Sequence, residues 1–217
     1  MKSSLLSIPL FSDMHSEHLD MLSGQLQRIK YTRNSIIISE GDVSDSLYLV
    51  NKGEIKIYIS DQNGREIQLN TLGPGDYFGE LSLLDQKPRS ASAITLCDSE
   101  LSVISSKALM TCLNKSPAMA MRMLQSLAKG MRDATELQRR LALMDVYGRL
   151  RKTLLTLSRR VDDMNIVEPK PTQQEIANMI GASREMVSRI ITNLKINDYI
   201  ETTRYSIIIR QELPDKL

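Results

Sequence analysis

The sequence predicts an α+β protein in three consecutive parts: an N-terminal β roll of jelly-roll type, one long helix, and a C-terminal winged helix-turn-helix. Three observations predict it. Short β-rich runs separated by turn signals fill residues from about 26 to 104. From Pro117 through Met144 there is no further proline, and apolar residues recur at helical spacing. The last segment, PTQQEIANMIGASREMVSRIITNLKINDYIETTRYSIIIR, reads as two short amphipathic helices around a glycine, followed by a hairpin. A chain of 217 residues that is 41% hydrophobic can bury one large core or two small ones.

The β part is punctuated by Glu40-Gly41-Asp42, Asn51-Lys52-Gly53, Asp61-Gln62-Asn63-Gly64 and Gly73-Pro74-Gly75-Asp76. Between these turns lie the runs IIIS, SLYLV, EIKIYIS, EIQLNTL, SASAIT and ELSVIS. The first 25 residues read as a small helical preface. His15 and His18 within it have no further Cys or His nearby and read as surface residues rather than metal ligands. Cys97 and Cys112 lack metal-ligand spacing and are expected to be reduced. No apolar run approaches the roughly 18 residues of a membrane span. The N-terminus has the wrong flanks for a signal peptide, so a cytoplasmic protein without a membrane partner is expected.

After a short helix from about Ser106, Ser116 reads as the N-cap of a long helix and Pro117 as its first-turn residue. Ala120, Leu124, Leu127, Met131, Ala134 and Leu141 form one apolar seam, interrupted by Gln138. Met123, Leu127, Ala134, Leu137, Leu141 and Met144 form a second. Two flanking seams suit a helix that packs on its own domain and on a second copy, a dimerising coiled coil; a long core helix in a monomer is the alternative. The expected division is residues 1–115, 116–144 and 145–217.

Net charge does not announce a nucleic-acid partner. It is +2 overall, and from Asp145 onward 12 Lys and Arg face 10 Asp and Glu. The argument must come from positions. Val146 to Arg159 reads as a helix and Val161 to Pro171 as a loop. Thr172 to Glu175 is a capping box, Gly181 permits a sharp turn, and Ser183 caps a second helix. Ile176, Ala177 and Ile180 are expected inside, as are Met186, Val187, Ile190, Ile191 and Leu194. A second helix so placed enters the major groove. Arg184, Glu185, Ser188 and Arg189 share its polar face. Arg suits guanine O6 and N7, and Glu suits cytosine N4. Tyr199–Thr202 and Ser206–Ile209, joined around Thr203–Tyr205, read as a wing. Thr172, Ser183 and Thr192 are candidate phosphate contacts. An ordinary solvated amphipathic helix would show the same charges, and the capping box, glycine and hairpin favour DNA reading.

In the β part, residues 78–93 read FGELSLLDQKPRSASA. Gly79 to Leu84 suits a short helix whose first amides favour an anion. Arg89 offers a fixed countercharge for a phosphate and Ser90 a hydroxyl. Glu80 would repel a phosphate and suits a sugar hydroxyl. One anion and one hydroxyl a few ångströms apart describe a cyclic nucleotide; a Glu80–Arg89 salt bridge closing a hairpin describes the same residues equally well.

This stretch resembles the phosphate-binding cassette of cyclic-nucleotide-binding domains, and EGDVSDSLYLVNKGEIKIY resembles the first half of the same domain. MIGASREMVSRIITNLKINDYIE is similar to the helix-turn-helix of the cyclic-AMP receptor protein family, the CRP/FNR superfamily. The resemblance implies a dimeric transcription regulator, not an enzyme. It would be switched by a cyclic nucleotide, in the first instance cyclic AMP, with double-stranded DNA and RNA polymerase as partners. It implies that Gly79 and Glu80 hold the ribose 2′-hydroxyl with Leu81 beside them, and that Arg89 and Ser90 hold the cyclic phosphate. Arg184, Glu185 and Arg189 match base-reading positions for a TGTGA-type half-site, and Val161–Pro171 resembles a polymerase-contacting loop. Two adenine-contacting hydroxyl positions fall at Ala134 and Thr135. Thr135 keeps its hydroxyl and Ala134 has none, so cyclic GMP, a cyclic dinucleotide or no ligand remain alternatives. A regulatory subunit of an enzyme would need a docking or catalytic segment where the winged helix stands.

Overall fold

The computed structural model of the chain describes residues 8–11, 22, 24, 26–43, 45–162 and 164–216. His15 and His18 lie outside the described residues. The chain divides into two compact units. One comprises Met1–Ile59 with Leu69–Asp133, and the other Ser60–Gln68 with Ala134–Leu217.

The first unit is built on two four-stranded sheets. Strands β1 (Gln27–Tyr31), β8 (Ser99–Ser105), β3 (Ser46–Lys52) and β6 (Tyr77–Phe78) form one. Strands β2 (Ile36–Ile38), β7 (Ser92–Thr95), β4 (Ile55–Ser60) and β5 (Glu66–Leu72) form the other, each in that spatial order. Strands distant in sequence pair antiparallel, β1 with β8 and β2 with β7, which is the β roll that the turn spacing predicts. The alternation along β3 explains the layering. Leu47 and Leu49 join Leu83, Ile104, Leu109, Met119 and Met123 in one core, whereas Val50 joins Ile38, Ile55, Phe78 and Leu101 in another. In β1, Arg28 and Lys30 are exposed while Ile29 and Tyr31 are half-buried, a period of two, whereas β6 has only two residues and shows no readable period.

Helix α1 (Glu80–Asp85) sits between β6 and β7; α2 (Ser106–Lys115) and α3 (Pro117–Leu143) follow β8. The Ser105 hydroxyl caps α2, and the amide of Met119 donates to Ser116 Oγ at 3.3 Å at the start of α3. The two seams expected on α3 are resolved differently. Met123 is buried and Leu127 packs against the same core, while Met121, Leu124 and Met131 are 56%, 58% and 76% exposed. The outward stripe is therefore offset from the inward one by about a third of a turn, and Leu127 does not belong to both.

In the second unit, α4 (Val146–Leu157), α5 (Gln173–Ile180) and α6 (Arg184–Ile196) enclose a core of Tyr147, Leu150, Leu154, Ile176, Val187, Ile191 and Leu194. A sheet of β11 (Ile200–Thr202), β12 (Ile207–Ile209), β10 (Met164–Val167) and β9 (Ser158–Val161) completes it. Three expectations are corrected here. The helix ends at Leu157 rather than Arg159, and much of the segment expected as a loop from Val161 is the β9–β10 hairpin, with Arg160 opposite Asn165. Asp162 sits at the hairpin turn and Glu168, Pro169 and Pro171 lie beyond β10, while β10 gains its strand partners from β9 and β12. Met186, expected inside, is 40% exposed.

Candidate ligand grip and nucleic-acid interface

Gly79 precedes α1 with φ 87°, a conformation that L side chains rarely adopt. A Cβ there would lie 2.5 Å from Arg89 Nη1 and 3.1 Å from Ser46 O, so the glycine also makes room for the guanidinium. Arg89 is 4% exposed. Its Nη1 donates to Gly79 O at 2.6 Å and to Ser82 Oγ at 2.8 Å, and its Nη2 donates to Ser46 O at 2.6 Å. Its backbone is held on both sides: Arg89 N donates to Asp42 O and Gly41 N to Arg89 O, each at 2.9 Å. The guanidinium carbon stands 6.0 Å from the centroid of the Tyr48 ring, which stacks on Phe78 at 5.2 Å.

The electrostatics follow from burial. Desolvation holds the Glu80 carboxyl above its ordinary range, partly opposed by its own backbone amide and the Arg89 charge. Desolvation likewise lowers Arg89, opposed by Tyr48, Glu80, Asp45 and Asp42. Gly79, Glu80 and Arg89 are thus brought together around one turn. Leu81 and Ser90 are exposed next to it, and Thr135 and Ala134 are exposed on α3 in the other unit. Sequence reasoning missed Ser82, a buried serine whose hydroxyl accepts from Arg89 and donates to Gly79 O at 3.3 Å. Its spacing three residues after Gly79 on a short helix was the available signal.

The reading head is built from caps. Glu175 N donates to Thr172 Oγ1 at 3.1 Å and Thr172 N donates to Glu175 Oε2 at 2.6 Å, the expected reciprocal box. Gly181 takes φ 61°, and a Cβ on it would stand 3.0 Å from Leu141 Cδ2. Met186 N donates to Ser183 Oγ at 3.2 Å and so starts α6. Arg184, Glu185 and Arg189 are exposed and Ser188 is half-buried. The Glu185 carboxyl is held below its ordinary range, first by its own backbone amide and then by the Ser183 hydroxyl. In the wing, Thr203 N donates to Ser206 O at 2.9 Å, and the Arg204 guanidinium carbon lies 5.3 Å from the Tyr205 ring centroid. Cys97 and Cys112 are free thiols. Among the described residues no helix is long and apolar enough to cross a membrane, and no cluster of three metal-ligating side chains occurs.

Comparison with known proteins matches both halves. Residues 28–116 match the cyclic nucleotide-binding domain family and residues 148–213 the Crp-like helix-turn-helix domain family. The chain is 31% identical over 204 residues to the CRP-like cAMP-activated global transcriptional regulator of Mycobacterium tuberculosis, covering 92% of this chain and 91% of that protein. It is 34% identical over 186 residues to the cAMP-activated global transcriptional regulator CRP of Salmonella typhimurium, covering 83% and 88%. The solved structure of the c-di-GMP responsive global regulator CLP of Xanthomonas campestris matches with a TM-score of 0.78 at 26% identity, covering 91% of this chain and 100% of that one. These relatives are transcription regulators, not enzymes. With a nucleotide-binding β roll and a Crp-like reading head in one polypeptide, the chain belongs to the CRP/FNR family of cyclic nucleotide-responsive, DNA-binding transcription regulators.

Proposed function

We propose that the chain is a homodimeric cytoplasmic switch that binds cyclic AMP in its β roll and then reads TGTGA-like palindromic half-sites. The observation that carries this reading is the buried Arg89 guanidinium, set between Gly79 and Ser46 and facing the Glu80 turn. A fixed cation suits the cyclic phosphate, and Glu80 suits the ribose hydroxyl. Two relatives named as cAMP-activated, at 31% and 34% identity, support the choice of ligand. The exposed Met121, Leu124 and Met131 support the dimer. With Ala128 they follow a 3-4 spacing that next reaches Thr135, so a second copy of α3 packed there would meet the Thr135 hydroxyl. In functional terms the chain divides into a ligand domain (1–115), a dimerisation helix (116–144) and a DNA-binding domain (145–217). RNA polymerase is the proposed protein partner, meeting the region of the β9–β10 hairpin.

Ligand contacts from Glu80, Arg89 and Ser90 to Thr135 shift the dimer only as far as they differ between its two states; moving a 1:99 balance to 99:1 takes about 10⁴-fold preference. Continuing α3 through Leu143–Asp145 would place the two α6 helices about one DNA turn apart. Asp145 now caps α4, accepting from Gly148 N at 2.7 Å. Giving up that cap costs about 0.5–2 kcal/mol, which the ligand's preference must exceed.

Ala134, and the likeness to a c-di-GMP responsive regulator, favour one second reading: the same architecture answering to cyclic GMP or a cyclic dinucleotide. Calorimetry with all three nucleotides, paired with anisotropy on a TGTGA palindrome, separates them. Cyclic AMP should bind and raise palindrome affinity; binding of another nucleotide alone, or palindrome affinity indifferent to cyclic AMP, would sink the leading reading.

Glu80→Gln gives a prediction with two signs. The native protein holds the Glu80 proton more tightly than the unfolded chain, so this group's contribution to stability is full on the acid side and lost as pH rises through its raised native value. At pH 7 the glutamine variant should therefore be at least as stable as the wild type in urea melts, with the difference disappearing toward pH 4. Its cyclic AMP affinity should fall about 10-fold or more, the size of a lost charge-assisted hydrogen bond.

A further inference from the structure

We infer that Tyr77 is a positioning residue of the switch: its buried hydroxyl bonds Ser126 on α3 when nucleotide holds the Glu80 turn, and so reports the ligand to the helix. The inference rests on the cyclic AMP reading above. Its geometry starts from the alternation along β6. Phe78 points into the core of Val50, Ile55 and Leu101, stacked on Tyr48, so Tyr77 points the other way. There it packs, with Leu127 of α3, against the core that holds Leu83 of α1 and Met119 and Met123 of α3. The phenol oxygen is buried and makes no hydrogen bond among the described residues. Its polar neighbours are Ser126 and the Glu80 carboxyl.

A phenylalanine would fill the same volume without the cost of an unmet buried donor. The hydroxyl therefore works against the arrangement described and favours any arrangement in which it is bonded. A ligand shifts a balance only through interactions that differ between the two states, and a bond made in one and missing in the other is such a difference. Phe78 and Gly79 alone separate Tyr77 from Glu80, so a ligand that sets the turn also sets the phenol. A ribose hydroxyl donated to Glu80 occupies that carboxylate, which leaves Ser126 as the acceptor for Tyr77. A serine hydroxyl has two lone pairs for this, and Ser126 is exposed and able to turn. At 3.6 residues per turn, Ser126 lies about 140–160° round α3 from the outward stripe of Met121, Leu124, Ala128 and Met131. The bond would thus act on the flank facing the β roll, apart from the dimer seam and from Thr135.

The test compares full-length wild type with Tyr77→Phe, which removes one oxygen. The readout is the ratio of TGTGA-palindrome affinities with and without cyclic AMP. Tyr77→Phe should lower this ratio about 5-fold or more, the low end of a coupling between sites. In urea without nucleotide it should unfold no more easily than the wild type, because the donor it loses is unmet. Ser126→Ala should lower the ratio by the same factor, Ser126→Thr should keep it, and the Tyr77→Phe/Ser126→Ala double variant should lose nothing further. A structural role alone would change the melt and spare the ratio. An unchanged ratio in Tyr77→Phe, whatever its melt, would overturn the inference, as would losses that add in the double variant. A wild type whose DNA binding ignores cyclic AMP would overturn the underlying switch reading, and the inference with it, before any variant is made.

Discussion

Arg89→Leu should abolish nucleotide-stimulated DNA binding and also destabilise the β roll. The second effect is new to the structure. From sequence, Arg89 is only a countercharge for a phosphate. In the fold its guanidinium also ties Gly79 O, Ser46 O and Ser82 Oγ together, each within 2.8 Å. Leucine would leave these acceptors without that donor, at about 1–3 kcal/mol for each that water cannot reach. Removing a desolvated charge returns part of that. A net loss of roughly 2–4 kcal/mol in urea unfolding without nucleotide is expected. Arg89→Lys separates the roles: it keeps a charge but not the planar fork, so it should retain weak nucleotide binding while recovering little stability. Undiminished stimulation by cyclic AMP in Arg89→Leu would remove Arg89 from the ligand grip.

What was legible in the sequence was local chemistry. The Thr172–Glu175 box, the Gly181 turn and the Ser183 cap each form between residues at most five apart, and all three are present. The β roll was legible as a texture because its turns are local, but strand pairing was not, since β1 meets β8 some 70 residues away. The β9–β10 hairpin pairs neighbours, Met164 with Val161, but its acids and prolines read as loop, and the second partner of Asn165–Val167, β12, lies some 40 residues on. On α3 the sequence showed that apolar residues lie on two flanks. It could not show which flank the β roll covers, so Leu127 was shared between seams that the packing separates.

The candidate site divides along the same line. Glu80 and Arg89 were visible as an odd charged pair in an apolar stretch, with the choice between salt bridge and ligand grip left open. The geometry adds what spacing could not: Arg89 is committed to backbone carbonyls, and Gly79 is needed for the volume of the guanidinium as well as for its φ. Ser82 entered only through its contact. A serine in a short amphipathic helix carries no signal until an arginine seven residues later folds back onto it. The position at which a ligand hydroxyl or base would be judged, Ala134 with Thr135, is exposed on α3, where the second copy of the proposed dimer would pack.

Arg149→Ala should loosen the reading head without touching the ligand grip, which makes it the counterpart of Arg89→Leu. Arg149 Nε donates to Ile180 O at 2.7 Å, Nη1 to Met144 O at 2.8 Å, and Nη2 to Gly181 O at 3.4 Å. One guanidinium thus joins the residue after α3 to the turn between α5 and α6. All three acceptors lie at helix C-terminal ends, where unpaired carbonyls accumulate partial negative charge. Alanine removes the cation and the three bonds together, for an expected loss of about 2–4 kcal/mol from the second unit. In thermal melts the alanine variant should show an earlier transition of the DNA-binding part. Its DNA affinity should fall on every sequence, with and without nucleotide, while calorimetric cyclic AMP affinity stays at the wild-type value. Arg149→Lys should recover only part, because an ammonium cannot reach three divergent carbonyls as a planar fork does. If instead basal DNA binding survives Arg149→Ala and only its response to nucleotide is lost, Arg149 transmits the signal from α3 rather than holding the turn; an unaltered melt together with unaltered DNA binding would show that the clamp contributes to neither.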